Sequence, residues 1–174
     1  AVSLRTDGVN VDIEGFSGRK EDLNALIKEL YTTFKSTIPS SQISFDTFIL
    51  PQCKWFFCKS YDYPTLAKYL DFFLPMGYDF VGWVKRQFAN APLDQLMLGV
   101  EQYRELGIPA HKLILGLPWY GYQFPCTNNV TIGAPCLPNC TKDSDDWQLD
   151  CPQVLYSQLV STLAAATKRQ GRDP

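Results

Sequence analysis

Two carboxylates, Asp12 and Glu14, stand two residues apart at the end of the run Asp7-Gly8-Val9-Asn10-Val11-Asp12-Ile13-Glu14. Read with period two, Val9, Val11 and Ile13 fall on one face of a strand, and Asn10, Asp12 and Glu14 on the other. Side chains at that spacing project the same way, roughly 7 Å apart along the strand. An amphipathic helical pattern follows at once, as expected where a strand lies in an α/β layer with both faces covered. Carboxylates on a covered face are costly to bury. Such a pair can push its two pKa values apart and keep one acid protonated at neutral pH. That is the chemistry of a proton donor beside a charged partner. On a strand with one face in water, the same acids would mean little.

Further polar and aromatic groups follow other apolar runs: Tyr78 and Asp79, then Tyr120 and Tyr122. The elements that must position them are legible. After the first strand, Leu23, Leu26, Ile27, Leu30 and Phe34 recur at helical spacing, and Pro39-Ser40-Ser41 ends that helix. Residues 43–50 read as a second strand, and residues 51–64 as a loop. A short helix at 65–69 leads to a third strand at 72–78, where Pro75 is awkward because it removes a ladder hydrogen bond. Residues 93–106 form a helix stopped by Gly107 and Pro109. A fourth strand is expected at 112–119, a long loop at 121–152, and a last helix at 154–168.

This order is strand then helix, four times over, and calls for parallel strands joined by right-handed crossovers. An open doubly wound sheet and part of an eight-stranded barrel both suit it. The first usually carries a Gly-rich phosphate loop after its first strand, and Gly15-Phe16-Ser17-Gly18 is not one. The polar groups instead cluster at the C-terminal ends of strands, where barrel enzymes place their catalytic groups.

Composition narrows the function classes. A chain of 174 residues with 45% hydrophobic and 20% charged residues has room for one domain with a core. Its net charge of −2 gives no electrostatic reason to expect nucleic acid. No run of about 18 apolar residues writes a membrane span, and no signal peptide is visible. Six cysteines, four of them at Cys126, Cys136, Cys140 and Cys151, suggest disulfides and an oxidising compartment. Cys136 and Cys140 are too loosely spaced, and the lone His111 too far away, to favour zinc. Asn129-Val130-Thr131 and Asn139-Cys140-Thr141 fit the N-glycosylation pattern and lie in the same stretch. Together these features point to the secretory route.

The ordered motifs resemble glycoside hydrolase family 18. The run from Asp7 to Glu14 resembles that family's Asp-Gly-x-Asp-x-Asp-x-Glu signature, with Asn10 in place of its middle acid, as in the chitobiase branch. Met76-Gly77-Tyr78-Asp79 resembles the Met-x-Tyr-Asp of its sixth barrel strand. Leu115-Gly116-Leu117-Pro118-Trp119-Tyr120-Gly121-Tyr122 resembles its seventh strand, again in the chitobiase branch, as does Gly133-Ala134-Pro135-Cys136. The resemblance implies an α/β fold, part of a (β/α)8 TIM barrel covering about strands four to seven, with residues 1–174 as a partial catalytic barrel and a cysteine-rich loop at about 123–152.

It also implies roles. Glu14 would protonate the glycosidic oxygen, Asp12 would orient the substrate's N-acetyl group, and Tyr78 would hydrogen-bond the acetamide as its oxygen attacks the anomeric carbon. Asp79, Met76, Tyr120 and Tyr122 would line the sugar site, and Asp7 would support the acids from the strand's start. The reaction implied is hydrolysis of β-1,4-linked N-acetylglucosamine with retention, assisted by the substrate and needing no cofactor or metal. The implied location is lysosomal or extracellular. A full barrel takes about 250 residues, and the family's eighth strand carries a tryptophan flooring the sugar pocket, whereas no tryptophan follows Trp147. The chain therefore reads as a portion of a larger protein, poorly active alone.

Blander readings stand beside these. The tyrosines could be core or rim aromatics. Asp46 could touch the site or make a plain structural hydrogen bond. Trp55, Phe56 and Phe57 suit loop packing, Asp143-Ser144-Asp145-Asp146 suits a solvated acidic turn, and His111 suits the surface. A non-catalytic, lectin-like sugar binder is the competing function; such relatives usually lose the terminal Glu, which is present here.

Overall fold

The computed structural model describes residues 6–14, 16–52, 61–80, 89–124 and 152–169. The chain divides into two compact units, one comprising Ala1–Gly77 and Leu93–Gly116, the other Tyr78–Pro92 and Leu117–Pro174. In the first unit, strands β1 (Gly8–Val11), β2 (Gln42–Phe48) and β3 (Phe72–Met76) form a parallel sheet in chain order. Helix α1 (Lys20–Thr37) joins β1 to β2, and the single turn α2 (Tyr63–Leu66) precedes β3. Helix α3 (Leu93–Glu105) and a 3₁₀ turn at Ala110–Lys112 follow.

The period-two pattern decides which sheet face the helices cover. Val11, Ile43, Phe45 and Phe73 point one way and are buried with Leu23 and Ile27 of α1, Leu66 of α2 and Tyr103 of α3. Leu23 and Ile27 are four residues apart, so they lie one above the other on α1. Tyr103 is buried because its hydroxyl is satisfied: it bonds Thr47 Oγ1 at 2.7 Å and the Phe48 carbonyl at 2.6 Å. Its ring meets Tyr63 edge to face at 5.3 Å. Lys112 Nζ donates to the Ala67 and Leu70 carbonyls at 2.6 and 2.7 Å, satisfying acceptors left over where α2 ends.

Gly8 is required by close approach. A Cβ there would stand 1.9 Å from the Gln42 carbonyl oxygen, so only glycine lets β1 seat against β2. The same holds at Gly99, where a Cβ would lie 2.1 Å from the Ile49 carbonyl oxygen and push α3 off the end of β2.

In the second unit, β4 (Tyr120–Tyr122) pairs antiparallel with β5 (Gln153–Leu155), and helix α4 (Tyr156–Arg169) follows. The Tyr156 N–H closes the pair onto the Trp119 carbonyl at 3.1 Å.

Three expectations are corrected. Among the described residues, the helices cover only the odd face of the sheet, and Asn10, Asp12 and Glu14 are exposed rather than enclosed on both sides. The fourth strand at 112–119 is not a regular strand. Residues 113–116 run parallel to β3, but only through isolated bridges, Phe73 with Leu113 and Met76 with Gly116. Pro75 explains the gap. The Phe73 and Pro75 carbonyls accept from Ile114 and Gly116 at 2.9 and 3.0 Å, but Pro75 has no N–H to return toward Ile114, and the rung between the two bridges is lost. Lastly, the pairing is not all parallel, because β5 lies within what reads as the end of a loop and the start of a helix.

All six cysteines, both glycosylation tripeptides, Trp55, Phe56, Phe57 and the acidic turn at 143–146 lie outside the described residues. His111 is exposed, as expected. Among the described residues, no helix is long and apolar enough to cross a membrane.

Candidate active site

The site residues fall into two groups, one in each unit. In the first unit, β1 ends at Val11, so Asp12 and Glu14 stand just beyond the C-terminal end of the strand, where the chain turns toward α1. A buried tyrosine fixes that turn. Tyr61 Oη donates to the Ile13 carbonyl at 2.7 Å, and the Phe16 N–H hydrogen-bonds the same phenol. The two bonds bracket Glu14. Burial holds the Tyr61 phenol pKa up, and the Glu14 and Asp12 charges push the same way, so it stays a neutral donor.

Asp7 lies at the other end of β1. Its carbonyl accepts the Gln42 N–H at 2.9 Å and sets the register in which Asn10 faces Ser44. Ser44 Oγ donates to Asn10 Oδ1 at 2.6 Å. Asp46, two residues along β2, shares that polar face. Burial raises its pKa, and the Asp12 charge adds to the rise, while a hydrogen bond from the Asn10 amide opposes it. Met76 closes β3 on this same face, paired with Phe48.

In the second unit, Asp79 is the hub. Its Oδ1 accepts from Tyr120 Oη at 2.6 Å and from Tyr122 Oη at 2.7 Å. Its N–H donates to Asn90 Oδ1 at 2.8 Å, and Asn90 Nδ2 reaches the Tyr120 carbonyl at 3.1 Å. Asp79 sits at φ 61°, the left-handed region that a non-glycine residue enters at a cost of about 1–2 kcal/mol. Asn90 and the two phenols hold it there. Tyr78 packs edge to face on Tyr120 at 6.3 Å, and Tyr120 on Tyr122 at 6.0 Å. Partial burial pushes the Tyr122 phenol up to about 12, with Asp79 reinforcing the shift, and moves Tyr120 further still. Gln153 Nε2 on β5 lies 3.1 Å from Tyr122 Oη. Within each group, then, polar donors and acceptors are tied to one another on an aromatic or strand scaffold, an arrangement able to orient a sugar's hydroxyl and amide groups.

Comparison with known proteins identifies the family. Residues 2–171 match the glycosyl hydrolases family 18. The chain belongs to this family. The mouse di-N-acetylchitobiase is 37% identical over 129 residues, 70% of this chain and 35% of that protein. Among solved structures, the Ostrinia furnacalis group IV chitinase in complex with allosamidin aligns with a TM-score of 0.74 and 24% identity, over 94% of this chain and 49% of that one. The Cycas revoluta family 18 chitinase in complex with (GlcNAc)3 aligns with a TM-score of 0.72 and 23% identity, over 91% and 48%. The chain thus spans about a third of the length of the curated relatives it matches, and shares the fold of about half of each solved chitinase, the TIM-barrel fold of family 18.

Every candidate of the family signature is described: Asp7, Asp12, Glu14, Met76, Tyr78, Asp79, Tyr120 and Tyr122. Sequence reading missed Tyr61, Asn90 and Gln153. Tyr61 acts across 48 positions and Asn90 across 30. Neither belongs to a periodic pattern, so nothing local in the sequence marks them.

Proposed function

We propose that this chain carries the catalytic strand region of a di-N-acetylchitobiase-like glycosidase, covering about strands four to seven of a (β/α)8 barrel, with residues 1–174 as a partial catalytic domain. It acts on β-1,4-linked N-acetylglucosamine in chitobiose cores or chitin oligosaccharides. The observation that carries this reading is the Asp12–Glu14 pair leaving the C-terminal end of β1 on its polar face, with Glu14 bracketed by the two Tyr61 bonds. A general acid must be held at one place relative to the bond it protonates, and a stapled turn does that.

The mechanism follows from the acids and the substrate's own acetamide. Glu14 gives its proton to the glycosidic oxygen as the C–O bond breaks. The acetamide carbonyl oxygen forms the new bond to the anomeric carbon, giving an oxazolinium ion. Asp12 orients the acetamide and offsets the charge on it, and Tyr78 hydrogen-bonds it. Water then opens the ring from the opposite face, giving its proton to Glu14, and two inversions yield retention. Asp79, Tyr120, Tyr122 and Met76 line the sugar site, and the bonds converging on Asp79 support that use. Asp7 supports the pair by holding the strand register. No metal or other cofactor enters this scheme.

The relatives favour an N-acetylglucosamine substrate: a di-N-acetylchitobiase, and chitinases in complex with allosamidin and (GlcNAc)3. The cysteines and glycosylation tripeptides favour a lysosomal or extracellular location. The test is incubation of the whole protein, with this chain inside its complete catalytic domain, with N,N′-diacetylchitobiose and longer oligosaccharides, with the anomer released followed by proton NMR. The β-anomer appearing first supports the reading. The α-anomer first would contradict substrate-assisted retention, and tight binding with no turnover would make the protein a lectin-like relative.

A further inference from the structure

Asp46 is the one carboxylate on the polar face of β2, and nothing in the proposed chemistry uses it. It belongs to a short chain of polar groups running across β1 and β2. Asn10 faces Ser44 in the strand register, and Ser44 Oγ donates to Asn10 Oδ1 at 2.6 Å. With its oxygen taken by Ser44, the Asn10 amide has its NH₂ left to donate, and Asn10 acts on Asp46 as a hydrogen-bonding partner that favours the ionised form. One Asp46 oxygen is left over. Oδ1 is buried and has no hydrogen-bond partner. For an ionised carboxylate this is an unsatisfied acceptor bearing negative charge in a part-buried site. For a carboxylic acid the same oxygen carries a proton and needs an acceptor instead.

The surroundings offer one. Asp12 follows Val11 and Asp46 follows Phe45, the last pair of the β1–β2 register, and Asp12 is the charge that acts on Asp46. From β1 the charged side chains are Asp12 and, beyond it, Glu14. From β3 the face presents Phe72, Leu74 and Met76, none of them titratable. The Tyr61 phenol near the acids is kept neutral by burial. The helices pack on the opposite face. Among the described residues of these strands no cation faces Asp46 to hold it ionised, and burial raises its pKa, with the Asn10 hydrogen bond opposing the rise and the Asp12 charge adding to it.

We propose that Asp46 is a positioning residue for Asp12: it rests as the protonated acid, accepts the Asn10 amide on one oxygen, and donates from the other toward the Asp12 carboxylate. This deepens the hydrolase reading and rests on it for its catalytic consequence. An Asp12 held by an O–H donor keeps a fixed orientation toward the acetamide. When Asp46 ionises, that hold becomes a repulsion. Activity therefore declines on the alkaline side with the ionisation of Asp46, a group that touches no substrate.

The experiment uses the intact protein and two readouts. Carbon-13 NMR of the aspartate carboxyls follows Asp46 directly, assigned from Asp46→Asn. We expect Asp46 to titrate above the ordinary aspartate range, and to move down in Asp12→Asn. The second readout is the pH profile of kcat and KM on a chitobioside. Asp46→Leu, which has no donor, is expected to lower kcat about 10- to 100-fold, in line with a misplaced reacting group, with KM nearly unchanged. Asp46→Asn, which keeps a donor and is nearly isosteric, is expected to recover most of kcat and to remove the alkaline limb due to Asp46. Asp46 titrating as an ordinary carboxylate, or an unchanged pH profile in Asp46→Asn, would overturn the proposal while leaving the hydrolase reading intact. Absence of turnover in the wild type, with Asp46 titrating high and responding to Asp12→Asn, would instead sink the hydrolase reading and leave the Asp46–Asp12 pairing standing.

Discussion

Tyr61 Oη lies 2.7 Å from the carbonyl oxygen of Ile13, the residue between Asp12 and Glu14. This bond, with the Phe16 N–H on the same phenol, joins the acids to the aromatic core of the first unit. Tyr61 packs on Phe45 at 5.8 Å and on Tyr63 at 5.8 Å, so the acids' position is set by residues that belong to the hydrophobic core.

Tyr61→Phe keeps the ring and its packing but leaves the Ile13 carbonyl without this donor. Loss of one such bond costs about 0.5–1.5 kcal/mol. Denaturant unfolding should show that decrease. If the turn positions Glu14, kcat should fall about tenfold or more with little change in KM. An unfolding midpoint and a kcat both equal to wild type would remove Tyr61 from the account.

Gly8→Ala should destabilise the first unit by about 1–3 kcal/mol or more, because the new methyl meets the Gln42 carbonyl oxygen at 1.9 Å and the β1–β2 pairing must shift. Hydrogen exchange at the β1 and β2 amides is the specific readout, and faster exchange confined to that pair is the expected result.

The phenols on Asp79 predict an alkaline transition. The Tyr122 pKa is raised from its ordinary 10.0 to about 12, by burial first and by Asp79 second. The folded protein therefore holds this proton after the unfolded chain has lost it. Stability from this source is intact below pH 10.0 and is lost as pH rises toward about 12. Asp79→Asn removes the charge but not the burial, so tyrosinate absorbance should then appear at lower pH without returning fully to the ordinary value. An unchanged titration curve would show that Asp79 does not hold these phenols.

Much of this was legible in the sequence, for identifiable reasons. The alternation of Val9, Val11 and Ile13 with Asn10, Asp12 and Glu14 is the alternation of burial in the structure, because one strand face must meet the helices. Leu23 and Ile27 mark the buried stripe of α1 for the same reason. The strand expected at 112–119 failed because its partner carries Pro75, whose missing N–H matters only once the neighbouring segment is known. The three-residue β5 exists through its pairing with Tyr120–Tyr122 and has no pattern of its own. Tyr78, Asp79, Tyr120 and Tyr122 came from ordered motifs, whereas Asn90, which ties Asp79 to the Tyr120 carbonyl, sits in an unpatterned Ala-Asn-Ala-Pro loop.

The assignment of Glu14 as the acid is decided by turnover of N,N′-diacetylchitobiose in the whole protein carrying Glu14→Gln. Glutamine keeps the size and hydrogen-bonding reach of Glu14 but has no proton to give the glycosidic oxygen. The expected result is a fall in kcat of about 10²–10⁴-fold, with binding of the disaccharide retained by calorimetry. Turnover near the wild-type rate would contradict it, and would show that Glu14 is not the acid.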